Sequence, residues 1–152
     1  MKITLKMNDE NRELEVNMTN RVGRIYRQAF SRDMLQDMLG IYKQLRKSPF
    51  EGIDLSGIDL NGKTEQEIYQ QLITKVDVAK LVDARQNASL NFDDTEKAGN
   101  IVWAFAKNAD DSIPGYEEWI DGFDYILPVG EIVCGLFDAW NSSATPTVEI
   151  KN

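Results

Sequence analysis

The residues from Gly57 to Thr64 have the spacing that most directly suggests chemistry. They read Gly-Ile-Asp-Leu-Asn-Gly-Lys-Thr and satisfy G-x-x-x-x-G-K-[ST], the pattern of loops whose backbone amides cradle nucleotide phosphates. Such a loop follows a buried parallel strand, but residues 48–56 are not continuously apolar, and Asp59 would place negative charge beside the phosphates. The sequence therefore favours a turn and a helix cap here, with a small nucleotide-binding protein as the alternative.

The composition removes most other catalytic chemistry. The chain has no histidine and one cysteine, Cys134, which excludes imidazole catalysis, Cys-His dyads, zinc sites built on Cys and His, and internal disulfides. Paired acids such as Glu117 and Glu118 are adjacent, so on a helix they do not face a shared cleft. We therefore predict a protein that is not an enzyme, with no catalytic residue, no metal and no cofactor.

The charge of the chain is strongly acidic and unevenly distributed. Seventeen Lys and Arg against 25 Asp and Glu give a net charge of -8, which opposes binding to nucleic acid or to an anionic membrane. No apolar run approaches the roughly 18 residues of a membrane span, and we expect a protein of the reducing cytoplasm. The segment 110–138 contains acids but no Lys or Arg, and such a segment favours solvent or a basic partner.

Three arginines stand out against this acidic background. Arg21, Arg24 and Arg27 lie three residues apart, so a helix would place them close to one face. Their simplest interpretation is a solvated helix face. The alternative is a docking surface for an acidic partner, such as the 110–138 segment of a second copy in a homo-oligomer.

The N-terminal residues predict a β-hairpin. Residues 2–7 and 13–18 alternate polar and apolar side chains around a polar cluster, which places the hairpin at 2–18. Because an isolated hairpin is marginally stable, its apolar face must pack on other elements. The rest of the chain has helical periodicity over 20–141. We predict an α+β fold, mainly α, with the hairpin packed on a helical core in a single domain at 1–141, followed by a flexible tail at 142–152.

Local signals place the individual helices. Apolar series on either side of Ser31 are out of phase, which predicts two helices or one broken helix, ending before Pro49. A capping-box pattern at Thr64 predicts a helix that runs to about Arg85. The starts of three later helices are predicted near Asp93 or Asp94, at Pro114 and at Pro128. The first of these should end near Asn108, with Trp103 off its apolar stripe.

The last two helices carry the candidate partner-binding residues. The final helix follows the spacing i, i+3, i+4, i+7, i+8, i+11, and the aromatic density just before it is high. Core packing is the simplest role for such residues, and a surface that holds a partner is the alternative. The candidates are Trp119, Phe123, Val129, Ile132, Val133, Leu136, Phe137 and Trp140.

The C-terminal half also carries a family resemblance. Residues 104–123 read Ala-Phe-Ala-Lys-Asn-Ala-Asp-Asp-Ser-Ile-Pro-Gly-Tyr-Glu-Glu-Trp-Ile-Asp-Gly-Phe, and the final apolar helix ends in Leu-Phe-Asp-Ala-Trp at 136–140. With the hairpin and the middle helices, this segment resembles the tail assembly chaperones of long-tailed (siphovirus) phages and prophages of Gram-positive bacteria. The Gly-Ile-Asp-Leu repeat within 52–60 departs from that pattern.

The resemblance implies a function without catalysis. A chaperone of this family binds and solubilises the long, hydrophobic, helical tape measure protein and helps recruit tail tube protein during tail assembly. It acts in the host cell cytoplasm, needs no cofactor and is absent from the mature virion. A ribosomal frameshift often appends a second domain in this family, and the residues after Asn141 would suit such a junction. An acidic adaptor or inhibitor of another protein is the further alternative.

Overall fold

A hairpin and seven helices make up the described part of the chain in the computed structural model, which covers residues 1–6 and 13–144. The α+β, mainly α class predicted from the sequence is confirmed. The elements are β1 (Lys2–Lys6), β2 (Glu13–Asn17), α1 (Arg21–Phe30), α2 (Met34–Leu45), α3 (Glu65–Leu72), α4 (Val78–Asn87), α5 (Phe92–Ala109), α6 (Tyr116–Asp121) and α7 (Val129–Ala144).

The described residues form two compact units where the sequence predicts a single domain at 1–141. Unit 1 contains residues 1–43 and 91–144, and unit 2 contains residues 44–90. Helix α7 extends to Ala144 and so includes the first three residues of the predicted tail. The rest of that predicted tail, 145–152, and residues 7–12 of the predicted hairpin lie outside the described residues.

The hairpin packs on the helical part of unit 1, as predicted. The strands pair antiparallel with Ile3 opposite Val16 and Leu5 opposite Leu14. Strand β2 buries its two apolar side chains, and it contacts α5. The Asn108 side chain of α5 donates a hydrogen bond to the backbone oxygen of Asn17, at 2.7 Å. The alternating pattern thus places the apolar side chains on one face of the strand pair, and this face covers α5.

The predicted break at Ser31 separates two helices. Ser31 has φ 56°, in the left-handed region, and its backbone N–H donates to the Arg27 oxygen at the end of α1. This conformation ends α1 and turns the chain, so that α2 begins three residues later.

A charged network joins α1 to α2. The hydroxyl of the fully buried Tyr26 donates to Asp37 Oδ2 at 2.6 Å. The Arg32 guanidinium donates to both oxygens of the same carboxylate, at 2.7 and 2.8 Å. Burial alone would raise the pKa of Asp37, but the hydrogen bonds from Arg32 and Tyr26 outweigh it and hold the pKa below its usual value of 3.8.

This network should make part of the stability depend on acid pH. Because the folded-state pKa of Asp37 is lowered, the contribution of its carboxylate is complete above pH 3.8 and is lost as the pH falls through the folded-state pKa. Asp37→Asn should lower the free energy of unfolding by about 1–3 kcal/mol at pH 7. Urea unfolding of both proteins should show this difference shrinking below about pH 4. A difference that is the same at every pH would contradict the assignment.

Helix α5 is the centre of unit 1. It begins at Phe92, capped by the Asn91 side chain, and runs to Ala109. Every residue from 98 to 106 is buried, because β2, α1, α6 and α7 all contact this helix. Trp103 is therefore buried although it lies off the predicted stripe, and its ring nitrogen donates to the Pro114 oxygen at 2.8 Å. An amphipathic pattern is not required of a helix that is enclosed on all sides.

In unit 2 the single helix predicted over 64–85 is two helices, which corrects that prediction. Thr64 caps α3 as expected, with its hydroxyl accepting the Glu67 N–H. The helix ends at Leu72, and the side chain of Asp77 caps a second helix by accepting the Ala79 N–H at 3.0 Å. Because the Asp77 side chain bonds to a nearby backbone N–H, it stabilises the start of a new helix here and disfavours one continuous helix. The apolar periodicity continues through this break, so the sequence pattern alone does not reveal that there are two helices.

The Gly-Ile-Asp-Leu repeat has a packing role in unit 2. Ile68, Leu72 and Leu81 form a small buried cluster between α3 and α4. Three of the four apolar side chains of the repeat pack against this cluster, namely Ile53, Leu55 and Ile58, while Leu60 is exposed. Its glycines at 52 and 57 have positive φ values of 79° and 77°, so the repeat consists of tight turns that each point an isoleucine inward.

The two ends of unit 2 lie close together. The Gln44 side-chain amide donates to the backbone oxygens of Asn87 and Ser89, at 2.6 and 2.9 Å. An ion pair between Arg85 and Glu65 also connects α4 to α3. One side chain thus fastens the start of unit 2 to its end.

Candidate partner-binding site

Half of the partner-binding residues predicted from the sequence belong to the core. Four of them, Trp119, Val129, Val133 and Leu136, are buried. Val133 and Leu136 lie on α7, which packs against α5, where each buried large apolar side chain contributes roughly 1.5–3 kcal/mol. Their regular spacing therefore serves the fold, and a partner could not reach Val133 or Leu136 without opening unit 1.

The other four predicted residues are half-buried, and the three aromatic ones among them contact other rings. They are Phe123, Ile132, Phe137 and Trp140. Phe137 packs on Tyr42 with ring centroids 4.8 Å apart, and Phe123 meets Trp119 edge-on at 4.9 Å. Because four of the predicted residues are buried and four are half-buried, the predicted set does not form one continuous exposed surface.

An apolar groove in unit 1 exposes residues that the sequence analysis did not single out. It lies among the start of α5, helix α6 and the connection from α6 to α7, and its volume is about 370 Å³. Its lining consists of Phe92, Thr95, Glu96, Tyr116, Ile120, Tyr125, Ile126, Leu127 and Val129. Val129 alone belongs to the predicted set, although the groove borders both helices of the prediction.

The edges of the groove hold the most exposed apolar side chains of the described residues. Ile126 is 95% exposed and Phe92 is 84% exposed. Leaving such side chains in water forfeits roughly 1.5–3 kcal/mol of burial each. Two of them beside one apolar groove mark a surface that is suited to a partner.

Tyr116 forms the wall of the groove nearest to α5, and Gly99 makes room for it. A methyl group at Gly99 would lie 3.0 Å from the ring carbon that bears the Tyr116 hydroxyl, and closer still to the hydroxyl itself. Glycine at this position lets the ring lie directly on the helix. The position of α6, and with it the shape of the groove, depends on this close approach.

Carboxylates border the groove. Burial raises the pKa of Tyr116, and the negative charges of Glu96 and Asp121 raise it further. Glu96 also lines the groove itself. The surface thus presents apolar side chains at its centre and negative charge at its edge.

The loop from Gly57 to Thr64 does not have the geometry of a phosphate cradle. The Asp59 N–H donates to the Gln71 side chain at 2.9 Å, and the Asn61 N–H donates to Asp59 Oδ1 at 3.1 Å. The Lys63 N–H donates to the Leu60 oxygen. Amides that are already bonded within the chain cannot converge on a phosphate. The Lys63 ammonium instead lies 3.8 Å from a carboxylate oxygen of Glu67, in the first turn of α3.

The three arginines of α1 do not share one environment. Arg21 forms an exposed ion pair with Asp111, at 2.9 Å. Arg24 and Arg27 instead line a separate cavity of about 340 Å³ in unit 1. The predicted common face is therefore divided: Arg21 pairs with an acid of the same chain, and Arg24 and Arg27 line an open cavity.

We also searched the described residues for metal sites and membrane-spanning helices. Within 1–6 and 13–144, His, Cys, Asp and Glu nowhere form a group of three that could hold a metal ion. In the same part of the chain, none of the helices is both long enough and apolar enough to cross a membrane. Comparison with known protein families, with curated proteins and with solved structures finds no match to this chain.

Proposed function

We propose that this protein is a tail assembly chaperone of a long-tailed phage or prophage, and that its apolar groove binds a hydrophobic helical segment of the tape measure protein. The observation that carries the proposal is the groove itself, with Ile126 and Phe92 exposed at its edges. The sequence resemblance supplies the identity of the partner.

The shape of the groove fits an amphipathic helix. Recognition of this kind lays apolar side chains at i, i+3 or i+4, and i+7 into a hydrophobic groove. A volume of about 370 Å³ accommodates the ends of a few such side chains and leaves the rest of the partner outside. A chaperone that holds many segments of a long apolar helix needs shallow binding sites of this type.

The surrounding charge supports the same role. A net charge of -8 keeps a protein with exposed apolar side chains soluble, and it favours apolar partner segments that carry Lys or Arg at their ends. We propose further that the chaperone helps recruit tail tube protein, acts in the host cell cytoplasm, forms homo-oligomers and is absent from the mature virion. None of these steps calls for catalysis.

Co-expression with the tape measure protein encoded nearby tests the proposal. We expect the soluble fraction of the tape measure protein to rise and the two proteins to elute together in size-exclusion chromatography. A tape measure protein that stays insoluble and never elutes with the chain would overturn the proposal.

Lys63→Ala separates this function from nucleotide binding. In a chaperone the variant should solubilise the tape measure protein as well as the wild type does, because Lys63 pairs with Glu67 in unit 2 and does not line the groove. In a nucleotide-binding protein the same change would remove the charge that contacts the terminal phosphates. ATP binding by the wild type, measured by calorimetry and lost in Lys63→Ala, would favour that rival.

A further inference from the structure

A second surface of unit 1 combines positive charge with apolar side chains. The cavity of about 340 Å³ between α1, the start of α2 and the end of α7 is lined by Arg24, Arg27 and Arg32 together with Met34, Leu35 and Trp140. It shares no lining residue with the apolar groove. It is therefore a separate site, and its chemistry is the opposite of the acidic surroundings of that groove.

Two of its three cations have no side-chain partner among residues 1–6 and 13–144. Arg32 is held by Asp37 through two hydrogen bonds. Arg24 and Arg27, by contrast, form no ion pair or hydrogen bond with any other side chain in the described part of the protein. Both are exposed, and they are three positions apart on α1, so they lie about one helical turn from each other.

The apolar side of the cavity is also accessible. Leu35 is 45% exposed, and Trp140 is half-buried. A smaller cavity beside it shares Asn20 and Trp140 and reaches Met18 and Ser143. The two cavities together bring charged and apolar side chains to the end of α7, and this mixed lining suits a peptide segment better than a single small ion.

We propose that this surface binds an acidic segment of a partner protein. The segment would present carboxylates one helical turn apart to Arg24 and Arg27, and an apolar side chain to Leu35 and Trp140. Guanidinium groups bind carboxylates through strong, charge-assisted hydrogen bonds. The one acid in the lining, Asp33, accepts the Gln36 N–H at 3.1 Å at the start of α2, and with Arg24 and Arg27 beside it the lining keeps a net positive charge.

The charge of the whole chain favours an acidic peptide over a nucleic acid. A long polyanion would extend past two arginines onto a protein of net charge -8 and would be repelled there. A short acidic segment with an apolar anchor confines its charge to the cavity and adds an apolar contact that a phosphate backbone lacks.

Binding of a defined peptide tests the proposal. The probe is a fluorescein-labelled peptide of alternating glutamate and leucine pairs, and the readout is its fluorescence anisotropy with the full chain. Arg24→Ala/Arg27→Ala should weaken binding about tenfold, because each exposed pair contributes up to about 1 kcal/mol. Binding of the wild type should also weaken as salt is added.

Matched controls make the result decisive. Lys47→Ala/Lys80→Ala removes two exposed cations from unit 2 and should bind the probe like the wild type. A peptide with glutamine in place of glutamate should bind at least about tenfold more weakly. Equal binding of the glutamine peptide, or an equal loss in the lysine variant, would overturn the proposal. A single-stranded oligonucleotide that displaces the peptide and binds more tightly would overturn it in favour of a polyanion site.

Discussion

Phe105→Ala is expected to lower the free energy of unfolding by about 3–5 kcal/mol. Phe105 lies on the enclosed part of α5, and its side chain is fully buried. Its ring meets Trp140 edge-on, with centroids 6.3 Å apart. Truncation would leave a cavity that none of the surrounding elements could fill without losing its own contacts. Urea or thermal unfolding monitored by circular dichroism measures the change.

The same helix provides the matched control. Phe92→Ala makes the identical chemical change at the first residue of α5, where the side chain is 84% exposed. Its effect on stability should stay within about 0.5 kcal/mol. Similar losses in the two variants would show that α5 is not the enclosed centre of unit 1.

Ile126→Ser is expected to weaken binding of the tape measure protein about 30-fold while leaving the chain folded. The Ile126 side chain is 95% exposed, so the fold gains almost nothing from it, whereas a bound helix would bury it. Losing the burial of one such side chain corresponds to roughly 2 kcal/mol of binding free energy. Anisotropy with labelled apolar helical peptides from the tape measure protein measures the affinity, and thermal unfolding confirms the fold.

Ile73→Ser is the control for this substitution. Ile73 is 56% exposed, but it lies in unit 2 and outside the groove. This variant should bind the peptides like the wild type. If Ile73→Ser weakens binding as much as Ile126→Ser does, general surface hydrophobicity explains the result and the groove does not.

The features of the fold that depend on local signals could be predicted from the sequence. Alternation of polar and apolar residues gives the strand pairing, in which Leu5 lies opposite Leu14. The shift of helical phase at Ser31 marks a real break, and Thr64 caps the helix that it was predicted to begin. These features arise within a few residues of the chain, where spacing and side-chain type are sufficient.

Tertiary contacts decide what could not be predicted. The apolar period continues through Val76, so only the capping contact of Asp77 reveals that two helices replace one. Trp103 lies off the apolar stripe of α5 and is buried because neighbouring elements enclose that helix.

The candidate site could be predicted from the sequence even less than the fold. The apolar spacing of α7 is visible in the sequence, but spacing does not tell whether Val133 contacts this chain or another. In the structure Val133 is fully buried. Ile126 and Leu127 are neighbours of similar apolar character, yet the first is exposed and the second is buried. The groove could be recognised only after α6 and α7 had been placed in space.

The contact of Gln44 with Asn87 and Ser89 bears on the order of folding. Unit 1 is made of two chain segments, and β2 and α1 can meet α5 only after the loop between them closes. If unit 2 folds first, its fastened ends shorten the loop between α1 and α5 from about 60 residues to about a dozen. Loop-closure entropy then opposes the assembly of unit 1 less, by about 1.4 kcal/mol. Unit 2 would thus act as an internal tether that speeds the folding of the unit carrying both binding surfaces.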